Sequence, residues 1–474
     1  MAEQVRLAMD EPRGRWVLAA TVLGSGIALL DSTIVNVALP TLGRDLGADV
    51  AGLQWTVNGY VLTLAAFILL GGTLGDRFGR RRVFVVGVVW FAVASLLCGL
   101  APDVPALVAA RLLQGIGGAL LTPGSLAILS SSIRHEDRGA AIGAWSGLGG
   151  LAAAAGPVLG GVLVEVSWRL VFLVNVPLCV LVVVIAQRHV PESYDDQAPA
   201  SVDVAGAVLG ALALAGTTYA LIAAGEEGAS RAVLATGAGG LLAAAAFVAV
   251  ELRSPAPMLP PAVFRVRQFT AANLVTFAVY GALGGLFLLL VVHLQVVVGW
   301  SPLVAGSALL PVTLVMLLLS ARSGALAARI GPRRQMTVGP LLCAGGVLLL
   351  REIGPAADYL VDVVPGVLVF GLGLACTVAP LTVTVLAAVE ARRAGLASGV
   401  NNAVARTAGL LAVAVLPVAA GITGDDYRAP ERFAQGYGFA MLLIAGLLVL
   451  GGALAWALVR DDAVPQPAAP PPHP

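Results

Sequence analysis

Two ionisable residues stand in stretches that are otherwise apolar. Asp31 ends the run that begins at Trp16, and Arg111 opens Arg111-Leu-Leu-Gln114-Gly115-Ile-Gly117-Gly118. A carboxylate in hydrocarbon favours its neutral form, and a nearby cation favours the ionised one. A site whose surroundings change can therefore load a proton and release it. An arginine at the centre of a membrane helix costs about 2.5–3.5 kcal/mol, so Arg111 should face a partner or water rather than lipid. Asp31 is the only carboxylate deep inside an apolar stretch. The plainer readings are a structural acceptor for Asp31 and a snorkelling side chain for Arg111.

Two further patterns concern movement rather than protons. Gly72-Thr-Leu-Gly-Asp76-Arg77-Phe-Gly79-Arg80-Arg81-Arg82 aligns without a gap on Gly324-Ala-Leu-Ala-Ala-Arg329-Ile-Gly331-Pro332-Arg333-Arg334. Gly72 and Gly79 permit tight turns, and Asp76 can pair with an arginine such as Arg77 or Arg80, or cap a helix. Such a latch would open when two bundles rock. The second copy has Ala at the position of Asp76 and should keep the turn without the latch. Further on, Gly156-Pro157-Val-Leu-Gly160-Gly161 places small residues four apart on one helix face beside a bend. That pattern suits close packing against a neighbouring membrane helix.

The elements that must position these residues follow from composition. The chain of 474 residues is 58% hydrophobic and 12% charged. A soluble domain devotes about a quarter of its residues to charge, so this chain has too little to cover a water-facing surface. Its apolar residues fall in blocks of about 20, the length that crosses a bilayer as a helix. Backbone groups in lipid must be satisfied within the segment, which excludes anything but helices for such blocks. Fourteen spans are expected, with an all-α fold of two six-helix bundles and two inserted helices. The divisions are 1–15, a tail; 16–190, the first bundle; 191–268, the insert with its flanking loops; 269–460, the second bundle; and 461–474, a disordered Pro-rich tail.

All 28 basic residues are arginine. Nineteen of them fall on the face that carries the N-terminus and six on the other, which predicts that both termini are cytoplasmic. The four cysteines lie within apolar blocks without metal-ligand spacing, and read as small buried hydrophobes. His293 reads as an interfacial residue near a helix end. A net charge of +1 gives no reason to expect nucleic acid as a partner. There is no phosphate loop, nucleophile elbow or metal cluster, so neither nucleotide binding nor enzyme activity is expected.

Taken together, these segments resemble the major facilitator superfamily, in its branch of fourteen-helix drug/proton antiporters. The resemblance runs through Asp31-Ser-Thr33 to Pro40, the Gly72–Arg82 loop, Arg111 to Gly118, Gly156–Gly161 and Trp168-Arg169 to Pro177. It implies alternating access between the two bundles and no cofactor beyond the proton motive force. The resemblance casts Asp31 and Arg111 as the proton-coupling pair. Gly156, Pro157, Gly160 and Gly161 become the segment that marks antiporters, hence export. Asn36, Tyr60, Gln114, Trp145, Gln295, Asn402 and Arg406 become candidates for the wall of a central cavity between spans 1, 2, 4, 5 and 9, 10, 12, 13. The expected partners are a small drug-like substrate, protons and the lipid of a bacterial cytoplasmic membrane. With one buried acid against several arginines, the substrate is expected to be neutral, zwitterionic or anionic. An importer of the same fold and a non-transporting membrane sensor are the competing readings.

Overall fold

The computed structural model describes residues 7–134, 136–195, 202–389 and 394–461. Of the proposed C-terminal tail, Asp461 is described and residues 462–474 lie outside them. Fourteen long helices occupy the described residues. The first six are α1 (Pro12–Leu46), α2 (Val50–Phe78), α3 (Arg80–Gly99), α4 (Val104–Ser132), α5 (Arg138–Val166) and α6 (Leu170–His189). Two more, α7 (Val204–Glu227) and α8 (Arg231–Arg253), precede the last six. These are α9 (Arg267–Val296), α10 (Pro302–Ala327), α11 (Pro332–Leu350), α12 (Tyr359–Ala387), α13 (Ala394–Ala419) and α14 (Pro430–Leu458). Thirteen are long and apolar enough to cross a membrane. The exception is α11, whose first turn carries Arg333, Arg334 and Gln335, yet it packs against α12 and α14 like any other span.

Helix starts follow the local sequence. Asp49, Asp103, Asp203, Ser230 and Ser301 each accept a backbone N–H of the first turn that follows. Those donors would otherwise have no partner inside the helix, so a polar cap defines where each span begins.

Within the first six helices, α4 packs on α1, α2 and α3, and α1 on α5 and α6. The last six repeat the theme, with α9 against α13 and α14 and α11 against α12 and α14. The internal repeat is visible atom by atom at the turn into the third helix of each set. Gly79 (φ 109°) and Gly331 (φ 84°) both adopt a backbone that a side chain disfavours. Behind each, a carboxylate from beyond the sixth helix caps the next helix. The Arg81 N–H donates to Glu192 Oε1 at 2.9 Å, and the Arg333 N–H donates to Asp461 Oδ1 at 3.0 Å. A Cβ at either glycine would press on that carboxylate.

The inserted pair is held by α7, which contacts both α2 and α13. Tyr219 meets the Trp55 ring at 6.2 Å, and Gly225 lies against Val418. The main contact of α8 is α7.

Candidate functional site

Asp31 and Arg111 meet. Arg111 Nη1 donates to Asp31 Oδ2 at 2.6 Å, with the side chains 1% and 0% exposed. Taking both charges out of water is expensive and is repaid only when their remaining donors and acceptors are also matched. Here they are. Arg111 Nη1 also reaches Gln114 Oε1 at 2.6 Å, and its Nε donates to the Thr56 carbonyl at 2.9 Å. Asp31 Oδ1 accepts from Gln114 Nε2 at 2.8 Å and from Asn175 Nδ2 at 2.9 Å. Ser95 closes the ring by accepting from Gln114 Nε2 at 2.8 Å. The Tyr60 ring lies 4.5 Å from the guanidinium and the Phe172 ring 5.7 Å, adding cation–π attraction and excluding water. Five helices of the first bundle thus share one sealed polar knot.

Close approach of α2 and α4 makes that knot possible. Gly115 lies against the Tyr60 backbone and Thr63, where a Cβ would collide. Thr63 Oγ1 bonds the Leu112 carbonyl at 2.7 Å. The arginine is therefore presented to α1 across a gap with no room for a larger residue at position 115.

A separate cavity of about 640 Å³ lies between the bundles, lined by α1, α5, α9, α10 and α12. Among the described residues its polar contributors are Thr33, Asn36, Thr313 and Ser320, and no charged side chain lines it. Thr33 and Asn36 are on α1, as is Asp31, but Asp31 points into the first bundle while they face the cavity. Asn36 Oδ1 has no hydrogen-bond partner.

The cavity is shut at the end away from the N-terminus. There Gly161 abuts Leu303, Gly306 abuts the Pro157 carbonyl, and Gln295 Nε2 donates to the Val37 carbonyl at 3.0 Å. On the same face, the Tyr427 hydroxyl donates to the carbonyls of Gly43 and Ala48, tying the α13–α14 loop to the end of α1. Burial holds that phenol above its ordinary value, so it remains a donor. Towards the N-terminal face the wall falls away, and Gly143 and Gly147 of α5 have nothing within 4 Å of a Cβ.

Several sequence expectations are redrawn. Tyr60 and Gln114 were placed on the cavity wall, but both are fully buried in the knot around Arg111. Trp145 packs against the first bundle's core instead of lining the cavity. Gln295 bridges the bundles, and Asn402 is exposed on α13, bonding the Ser398 carbonyl at 3.0 Å. Its neighbour Asn401 is the one that turns inward, to Asn273 and Thr276. Among the described residues, α2, α4 and α13 contribute nothing to the cavity, because α2 and α13 pack on one another, so Arg406 is not on its wall as expected. Gln54 Nε2 donates to the Val413 carbonyl at 2.7 Å along that seam. His293 is buried, its ring stacked 3.8 Å from that of Tyr437, because the α11–α12 loop folds over it. Of the antiporter segment, Gly156 and Gly160 pack on Thr33 and Ile34 of α1, and Gly161 on Leu303.

Asp76 pairs with Arg80 across Gly79 at 2.7 Å, within the first bundle. Arg81 and Arg82 lie 3.7 and 3.8 Å from Glu192, while Arg77 rests over Phe78. Gly72 faces Pro123 of α4. The sequence reading assigned no role to Ser95, Thr56 or Asn175. A lone serine or amide in an apolar span was the available signal for two of them, and a backbone carbonyl such as that of Thr56 leaves none.

Comparison with known proteins follows this geometry. Residues 21–413 match the Major Facilitator Superfamily. The chain is 35% identical over 466 residues to the puromycin resistance protein pur8 of Streptomyces alboniger, covering 95% of this chain and 92% of that one. It is 37% identical over 429 residues to the tetracenomycin C resistance and export protein of Streptomyces glaucescens, covering 89% and 79%. Among solved structures, a bacterial homolog of the human lysosomal transporter Spinster, inward-facing and unoccupied, superposes with a TM-score of 0.68 at 18% identity. That likeness covers 97% of this chain and 100% of the other, and at this identity it speaks to fold alone.

Proposed function

Since the chain belongs to the Major Facilitator Superfamily, we propose that its Asp31–Arg111 knot couples proton entry to the export of an antibiotic-like molecule. The protein is a drug-efflux transporter of the cell membrane, spanning it many times. Its relatives are named for resistance to puromycin and for resistance to and export of tetracenomycin C, compounds of drug size. Coupling to protons, the cytoplasmic placement of both termini and the absence of enzyme activity or any bound cofactor are our reading.

The observation that carries it is the placement of Asp31 and Thr33 on one helix but in two compartments. Asp31 is sealed with Arg111, and Thr33 faces the cavity. Protonating Asp31 removes its charge and leaves Arg111 with Gln114 Oε1 and the Thr56 carbonyl alone, which weakens the hold of α4 on α1. Movement of α1 is felt at once by the cavity and by Gly156 and Gly160, which pack on it. The arginine bias supports a cytoplasmic position for the open end of the cavity, and on that reading this state takes up cargo from within. Return to it follows protonation of Asp31 from the far side, and the proton is then given up on the side from which cargo enters. The Asp76–Arg80 pair stiffens the loop over which the first bundle must turn.

Direction and coupling are tested together in inside-out vesicles. Acidifying the lumen should drive uptake of a transported antibiotic by wild type and not by Asp31→Asn. Proton-driven uptake in both would remove Asp31 from the mechanism, and movement of the antibiotic along the proton flux would make the protein an importer.

A further inference from the structure

At the centre of α13, Arg406 is half-buried and makes no hydrogen bond or ion pair among the described residues. The contrast with Arg111, whose guanidinium is matched by a carboxylate, an amide oxygen and a carbonyl, is sharp. An intramembrane cation without a counter-charge is costly and defaults to a functional role.

Its position is fixed by the packing of α2 on α13. Gly399 lies against Leu69, and Val413 accepts from Gln54, so the two helices run antiparallel in a set register. Residues 399, 402 and 406 form one stripe of α13 at spacings of three and four, on the side where Gly399 meets Leu69 of α2. Arg406 is therefore in the seam between the bundles, not on lipid. Asn402, one turn towards the N-terminal face, is exposed, which shows that the seam opens there. Gly409, one turn on from Arg406, lies by the Tyr280 carbonyl of α9. Tyr280 shares its face of α9 with Phe287, seven residues on, and Phe287 lines the cavity. Near the same level of α2, Asn58 is fully buried with neither amide atom hydrogen bonded.

We infer that Arg406 receives an acidic group of the exported molecule, so that the cargo is an apolar body bearing one anion: a carboxylate, sulfonate or acidic phenol. The inference rests on the exporter reading and narrows its cargo. The cavity supplies an apolar wall with a few hydroxyls, and Arg406, in the α2–α13 seam on the other side of α9 from that wall, supplies the unspent cation. A guanidinium binds such oxygens in a bidentate manner, which Lys reproduces as a point charge alone.

The test uses two fluorescent probes that differ by one acidic group. They are 8-anilinonaphthalene-1-sulfonate and the neutral N-phenyl-1-naphthylamine, titrated into the purified protein in lipid nanodiscs. Arg406→Gln should weaken saturable sulfonate binding by about ten-fold, the scale of one charge-assisted contact, and leave the neutral probe unchanged. Arg406→Lys should recover most of the loss. Equal sulfonate affinity in wild type and Arg406→Gln, parallel loss of both probes, or no saturable sulfonate binding to wild type would each overturn the assignment. Asp31→Asn serves as the second arm: it should abolish proton-driven transport and keep sulfonate binding. Failure of the exporter reading is thus separated from failure of the anion site.

Discussion

Arg111 and Asp31 are joined at 2.6 Å inside the first bundle, and their outer valences are filled by Gln114, Asn175 and the Thr56 carbonyl. Breaking one partner of such a pair leaves a buried charge uncompensated, at a cost of about 3–5 kcal/mol. Arg111→Leu should therefore lower the melting temperature of the purified protein sharply. The double variant Arg111→Gln with Asp31→Asn removes both charges and should recover most of that stability while transport stays lost. Recovery of proton-driven transport in the double variant would show that the pair is structural only.

The paired caps at Glu192 and Asp461 make a second prediction. Each accepts one helix-start N–H, so replacing either with Ala should cost about 1 kcal/mol, the usual worth of a helix cap. Glu192→Ala should cost more, because Glu192 also neighbours the Arg81 and Arg82 side chains. Thermal melts of the two single variants give the comparison, and an equal or reversed order would contradict the account.

Gly306 meets the Pro157 carbonyl where the bundles close the far end of the cavity. Gly306→Val adds bulk at that contact and should hold the far face apart. With Asn36→Cys as reporter, labelling by a membrane-impermeant maleimide should fall several-fold from the N-terminal face and rise from the opposite one. Unchanged labelling from both faces would mean that the contact does not gate the cavity.

Tyr219 and Trp55 connect the insert to α2. An aromatic pair of this kind is worth about 0.5–1.5 kcal/mol beyond its buried area. Tyr219→Ala should destabilise by that order plus the lost burial, and speed protease cleavage of the loops flanking α7 and α8. Cleavage at the wild-type rate would show that α7 is held elsewhere, through Gly225 and Val418.

The sequence reveals the helices and the Asp31–Arg111 pair, but not the rest of the site. A span announces itself by length and hydropathy alone, and a charge inside it needs a counter-charge, but it was the resemblance to drug/proton antiporters that paired Asp31 with Arg111 rather than with another arginine. Which neighbours complete the knot depends on helix rotation. A turn of 100° per residue separates Asn401 from Asn402 and puts one against Asn273 and the other in the open seam. Tyr60 and Gln114 were misplaced for the same reason, since the distinction between a bundle core and a cavity wall is a matter of a third of a turn. The absence of α2 and α13 from the cavity has another origin. Their direct packing is set by contacts such as Gln54 to Val413, far apart in sequence and without a local pattern.

Helix α7 lies over the joint of α2 and α13 and touches both. The opposite joint, between α5 and α10, has no such cover among the described residues, and its glycines at 143 and 147 border open space. The molecule therefore has two unlike flanks in the plane of the bilayer. An oily compound dissolved in the bilayer would meet a two-helix screen on one flank and a slot on the other, which makes a single-sided route from lipid to cavity the expected one.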